Sequence, residues 1–133
     1  FPTENEDMFL QTLDLIDQCD LTWLHVFPYS ERPGTPAALM PKVPVAVRRE
    51  RAALLRKMGE DAEDRFLQSC VGNTANILIE QNGAGRTEHF ALARLDQLEG
   101  KQSTGPVSRV EVAHIVGIEG RTLKAKSIDQ ITP

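Results

Sequence analysis

Long apolar runs are absent from this 133-residue chain. No stretch approaches the roughly 20 consecutive apolar residues that span a bilayer, which argues against a membrane partner. No basic segment followed by an apolar one opens the sequence, so nothing points to secretion. Cysteine is scarce as well: Cys19 and Cys70 stand far apart, without CxxC spacing. Both read as small buried hydrophobes in a reducing, cytoplasmic setting. The three histidines, His25, His89 and His114, lack metal-site spacing and read as satisfied core residues. Aromatics are 5% of the chain, and only Phe66 and Phe90 lie in or near residues 67–133. Stacking is thinly supplied there.

What is present is ordinary for a soluble globular chain, with 41% apolar and 26% charged residues. The length suits one ordinary domain or two small ones. The net charge of −4 conceals an asymmetry. Residues 1–40 carry seven acids against Arg32 alone, residues 41–71 seven bases against five acids, and residues 72–133 seven of each. An acidic total decides little about nucleic acid, because only local charge meets a phosphate.

Thr3 and Glu6 have the spacing of a capping box. Phe9, Leu13 and Ile16 then give a helical apolar face through about Gln18, which Asp20 closes. Leu21 to Tyr29 reads as a strand apolar on both faces, the kind that parallel sheets cover on both sides. Ser30 to Val43 is a loop restricted by Pro33, Pro36 and Pro41. Pro44 opens a second helix to about Val71, with Gly59 as a break or bend and Gly72 as the cap. Helix then apolar strand is the half-unit of an α/β barrel or a doubly wound fold.

After Gly72, "ANILIEQ", "TEHFALARL", "VSRVEVAHIVGI" and "TLKAKSI" read as short strands separated by "NGAGR", "EGKQSTGP" and "EG". That spacing suggests a small antiparallel β-barrel. The expected fold class is therefore α+β, dividing near Phe66. Residues 1–66 would be part of an α/β barrel, helix–strand–helix, and residues 67–133 the β-barrel module. The single buried strand lacks neighbours, so the sequence reads as the tail of a larger protein. Its open edge would let it pair with a second copy as a dimer.

Three stretches in order, "FPTENEDMF", "LHVFPYSERPGTPAALMP" and "RRERAALLRKMG", resemble the C-terminal portion of the radical S-adenosylmethionine methylthiotransferases. The last module, with "GRTEHFALARL", is similar to their terminal TRAM domain, an OB-like RNA-binding β-barrel. The version here most resembles the branch acting on threonylcarbamoyladenosine in transfer RNA, beside the anticodon. Sister branches act on isopentenyladenosine in transfer RNA or on an aspartate of a ribosomal protein. The resemblance implies a parent enzyme that uses S-adenosylmethionine and two 4Fe–4S clusters, with the anticodon arm as partner. Six cluster thiolates cannot come from Cys19 and Cys70, so this segment alone would bind no cluster and be inactive.

The resemblance also implies where the site lies. "FPTE" follows a barrel strand in a segment the family usually reads GFPGE, which sets Pro2 and Glu4 beside the cosubstrate; Thr3 stands where glycine is usual. In such barrels the loops after the strands build the active site. The end of "HVFPYS" would bring Phe27, Tyr29 and Ser30 to the adenine, and Arg32 would face the RNA. Arg48, Arg49, Arg51, Arg56 and Lys57 read either as a solvated helix face with Glu50 and Glu60 or as a phosphate track. In "GAGRTEHF", Gly83 and Gly85 permit a tight turn, Arg86 and Thr87 meet a phosphate, and alternation puts Phe90 in the core with Leu92. Arg94, Arg109, Arg121, Lys124 and Lys126 complete the basic candidates. The alternatives are a parent enzyme acting on a ribosomal protein, with the module merely docking it, or a free-standing RNA-binding β-barrel module.

Overall fold

Asn5, rather than Thr3, starts the first helix in the computed structural model. Its side chain accepts a hydrogen bond from the Met8 amide at 2.9 Å, the role Asn fills best at an N-cap. Helix α1 spans Glu6–Gln18, with Glu6 and Asp7 in its first turn, at the positive end of the helix dipole. Thr3 takes a left-handed backbone with φ 66°, a conformation that favours glycine. The helix closes on a left-handed Asp20 (φ 48°). There the Leu21 amide reaches the Ile16 carbonyl and the Asp20 amide that of Asp17, both at 3.1 Å. This is a Schellman closure with aspartate in the glycine position.

The structure describes residues 1–81, 83–96 and 109–128. The chain divides into two compact units, Phe1–Glu63 and Asp64–Pro133. In the first unit, the expected strand over Leu21 to Tyr29 is not one. Burial alternates with period two, Thr22, Leu24 and Val26 half-buried and Trp23, His25 and Phe27 exposed, but no ladder forms. A strand needs a partner for its backbone donors and acceptors, and none of the described strands lies beside this segment. Nor is it apolar on two covered faces: Phe27 is 84% exposed, and His25 lies outside the core. Cys19 is exposed too, not buried.

Helix α2 runs unbroken over Val45–Cys70, so Gly59 marks no break. A Cβ at Gly59 would lie 3.1 Å from that of Leu24. Glycine is the notch that seats the extended segment against the helix. Phe9 and Ala52 are buried in this unit, and the Arg51 guanidinium lies 4.9 Å from the Phe9 ring centroid. Among the described residues no helix is long and apolar enough to cross a membrane.

The second unit is a closed five-stranded barrel in the order β1–β2–β3–β5–β4. Its strands are β1 Thr74–Gln81, β2 Ala84–Thr87, β3 Leu92–Leu95, β4 Arg109–Glu119 and β5 Thr122–Ser127. The barrel is mixed rather than antiparallel throughout, since β3 pairs parallel with β5. "TEHFALARL" is not one strand, because a turn over residues 88–91 separates β2 from β3. Closure lets the chain return β5 beside β3, and it leaves no open edge. The expected loop "EGKQSTGP" and the first two residues of "VSRVEVAHIVGI" lie outside the described residues.

Ile77, Ile79, Leu95, Ile115 and Leu123 fill the barrel with Ala91, Ala93, Ala113 and Ala125. Large and small side chains share the interior, as a barrel this narrow requires. Leu67, on the last turns of α2, is 1% exposed and belongs to the same cluster. Gly72 (φ 86°) ends the helix, its amide donating to the Ile115 carbonyl at 2.9 Å.

Candidate nucleic-acid interface

The segment "GAGRTEHF" forms β2 and the turn into β3. Gly83 (φ 73°) makes the turn out of β1. Gly85 makes no turn; it lies within the strand where β2 crosses β1, opposite Ile79. Thr87 is buried, and its hydroxyl accepts from the amides of Ala91 (3.2 Å) and His89 (3.3 Å). It shapes the turn rather than facing solvent. Arg86 points outward, and its Nη1 donates to the Phe90 carbonyl at 3.0 Å. Phe90 is 71% exposed, not core. Alternation does group it with Leu92, but on the outer face; Ala91, Ala93 and Leu95 take the inner one.

Strand register gathers the bases. Arg86 on β2, Arg94 on β3, and Lys124 and Lys126 on β5 all stand at exposed, outward positions. Arg94 and Lys124 are direct partners across the parallel pair. Lys124 meets Glu119 at 3.2 Å, and Arg121 meets Asp64 at 3.3 Å. Arg109 is ion-paired to Glu111 on its own strand. Beside the turn, a pocket of about 240 Å³ is lined by Phe66, Cys70, Asn73, Glu88 and His89 among others. Burial pushes the Cys70 thiol above its ordinary range, and the Glu88 charge adds to that. It stays a protonated thiol at neutral pH. His89 lies on the surface with its ring edge-on to Phe66 at 6.1 Å.

In the first unit the basic helix is divided in use. Arg51 is 11% exposed, with Nη1 on the Glu4 carboxylate at 2.7 Å and Nη2 on Glu6 at 2.9 Å. It also donates to the Glu4 carbonyl at 3.1 Å. Arg51 and Glu4 therefore hold each other, and neither faces outward alone. Arg48 donates to the Tyr29 carbonyl at 2.8 Å, its guanidinium 6.0 Å from the Tyr29 ring centroid. Among the described residues, the Tyr29 hydroxyl, the Arg48 Nε and the Arg51 Nε are buried without a hydrogen-bond partner. Lys57 is paired with Asp61, while Arg49 and Arg56 are exposed. Pro2 is buried; Ser30 and Arg32 are exposed. Among the described residues no three His, Cys, Asp or Glu side chains are grouped to hold a metal ion.

The sequence signal missed two things. The parallel pairing of β3 with β5, which sets Arg94 against Lys124, comes from barrel closure and has no local signature. The outward Phe90 depends on one left-handed residue, marked by no glycine.

No protein-family model matches the chain. Among curated proteins it is 42% identical over 124 residues to threonylcarbamoyladenosine tRNA methylthiotransferase MtaB of Rickettsia prowazekii, covering 93% of this chain and 28% of that one. The Aquifex aeolicus protein of the same name is 30% identical over 83% of this chain and 26% of its own length. The tRNA-2-methylthio-N(6)-dimethylallyladenosine synthase of Ralstonia pickettii is 36% identical over 86% of the chain and 28% of its own length. The chain thus spans little more than a quarter of the length of these relatives. Aligned with them over most of its own residues, the chain belongs to the tRNA methylthiotransferase family.

Proposed function

We propose that this chain is the RNA-holding segment of a methylthiotransferase that adds a methylthio group to threonylcarbamoyladenosine beside the anticodon. The 42% identity to a relative named for that nucleoside favours it over the dimethylallyladenosine branch. One structural observation carries the RNA part: Arg94 and Lys124 are register partners on a barrel of a chain whose net charge is −4. A phosphate set beside this register pair would meet both cations. In OB-type barrels the face of strands 2 and 3 takes nucleic acid, and here that face carries Arg86 and Arg94. The TRAM-type module would span residues 67–133, and residues 1–66 the end of the catalytic barrel.

In the parent, S-adenosylmethionine and two 4Fe–4S clusters would supply the radical chemistry. The residues present do not fit a cluster, since Cys19 and Cys70 are too few for its thiolates. They fit the edge of a cosubstrate site better. The unsatisfied Tyr29 hydroxyl and Arg48 Nε are polar groups in want of a partner, with the exposed Phe27 nearby in sequence. In the same unit Arg51 keeps Glu4 in place.

A gel shift with an anticodon stem-loop tests the RNA reading against a ribosomal-protein target. Arg86→Ala should weaken the stem-loop complex by roughly 1 kcal/mol, the scale of a partly exposed charge-assisted contact. Arg109→Ala, with Glu111 already on that guanidinium, should matter less. Binding of the ribosomal protein without the RNA would reject the proposal.

A further inference from the structure

Phe90 is held outward at two costs. An aromatic side chain with φ 66° occupies the left-handed region that suits glycine, and the ring is 71% exposed rather than buried. Four hydrogen bonds keep it so. The Phe90 amide donates to the Thr87 carbonyl at 2.9 Å, and the Thr87 amide to the Ala91 carbonyl at 2.9 Å. The Thr87 hydroxyl accepts from Ala91, and Arg86 Nη1 donates to the Phe90 carbonyl. Backbone strain that the surroundings over-determine is a mark of function.

The neighbourhood identifies the occupant. Across the sheet the outward residues Val110, Leu78, Arg86 and Leu92 are successive register partners, and the three apolar ones are exposed. Arg86 sets a cation within this apolar row and is bonded to Phe90 itself; the Arg94–Lys124 pair follows on β3 and β5. A ring beside a cationic track is how proteins hold single-stranded nucleic acid: phosphates meet the bases of the protein, and a nucleobase stacks on the ring.

We infer that Phe90 is a stacking platform for one unpaired base of the bound RNA, aimed by the strained turn that Thr87 and Arg86 hold. The inference rests on the RNA reading above and adds to it a site and a mode of contact.

The test uses the whole 133-residue chain and an anticodon stem-loop carrying 2-aminopurine in its loop. Binding should quench the probe. Phe90→Ala and Phe90→Leu should both remove the quench and lower affinity at least about fivefold, since leucine keeps apolar bulk without a π-face. Phe90→Tyr should keep both. Phe90→Gly should melt no lower than the parent chain, because glycine accepts this backbone, yet lose RNA affinity as alanine does. That combination separates a binding role from a folding one. Undiminished affinity in the Ala and Leu variants overturns the platform and leaves the RNA reading standing. Native affinity in Leu alone means apolar docking and overturns it as well. No binding by the unsubstituted chain removes the RNA reading, and the platform with it.

Discussion

Gly85→Ala should weaken the barrel by about 3 kcal/mol, at the upper end of what overpacking costs. A Cβ at Gly85 would lie 2.0 Å from the Leu78 carbonyl oxygen and 2.7 Å from its carbon. Both are backbone atoms of β1, so no side chain can swing aside. Relief requires β2 to move off β1, breaking the pairings of Gly85 with Ile79 and with Ala93. Because the barrel is closed, a displaced β2 also disturbs β3, and with it the Arg94–Lys124 partnership. Thermal or urea unfolding of the substituted chain measures the loss. Unfolding unchanged from the parent would mean that β1 and β2 do not approach this closely.

Leu67→Ala should cost about 3 kcal/mol, within the range for a buried leucine that leaves a cavity. Leu67 is 1% exposed and packs into the same cluster as Ile77, Ile115 and Leu123. The last turns of α2 therefore belong to the barrel core. Gln68 beside it is exposed, and Gln68→Ala should stay within about 0.5 kcal/mol. Equal, small effects at both positions, read by urea unfolding, would detach this helix end from the barrel.

Much of the architecture was legible locally. Pro44 and Gly72 bracket α2 to within a residue at each end, because helix starts and stops are set by side chains near them. The existence of β1, β4 and β5 followed from the turn signals between short segments. What was not legible depends on partners distant in sequence or on competition between neighbours. Asn5 displaced Thr3 as the cap. Leu21 to Tyr29, read as a strand apolar on both faces, alternates in burial and found no ladder. Gly59 looked like a helix breaker and is a contact notch. Alternation grouped Phe90 with Leu92 correctly, yet periodicity cannot say which face is inside. The candidate bases Arg86 and Arg94 were visible as residues, while their alignment with Lys124 needed the parallel β3–β5 pairing. Arg51 and Glu4, read as separate site residues, hold each other.

The salt dependence of RNA binding tests the central claim most directly. If Arg86, Arg94, Lys124 and Lys126 each neutralise one phosphate of a single-stranded segment, log affinity against log salt should have a slope of about −3. Between about 50 and 200 mM salt the affinity should then fall by roughly fiftyfold. Replacing both Arg94 and Lys124 with alanine should reduce the slope by about 1.4. A slope near zero, or one that the double substitution leaves unchanged, would contradict the assignment of this barrel face to RNA.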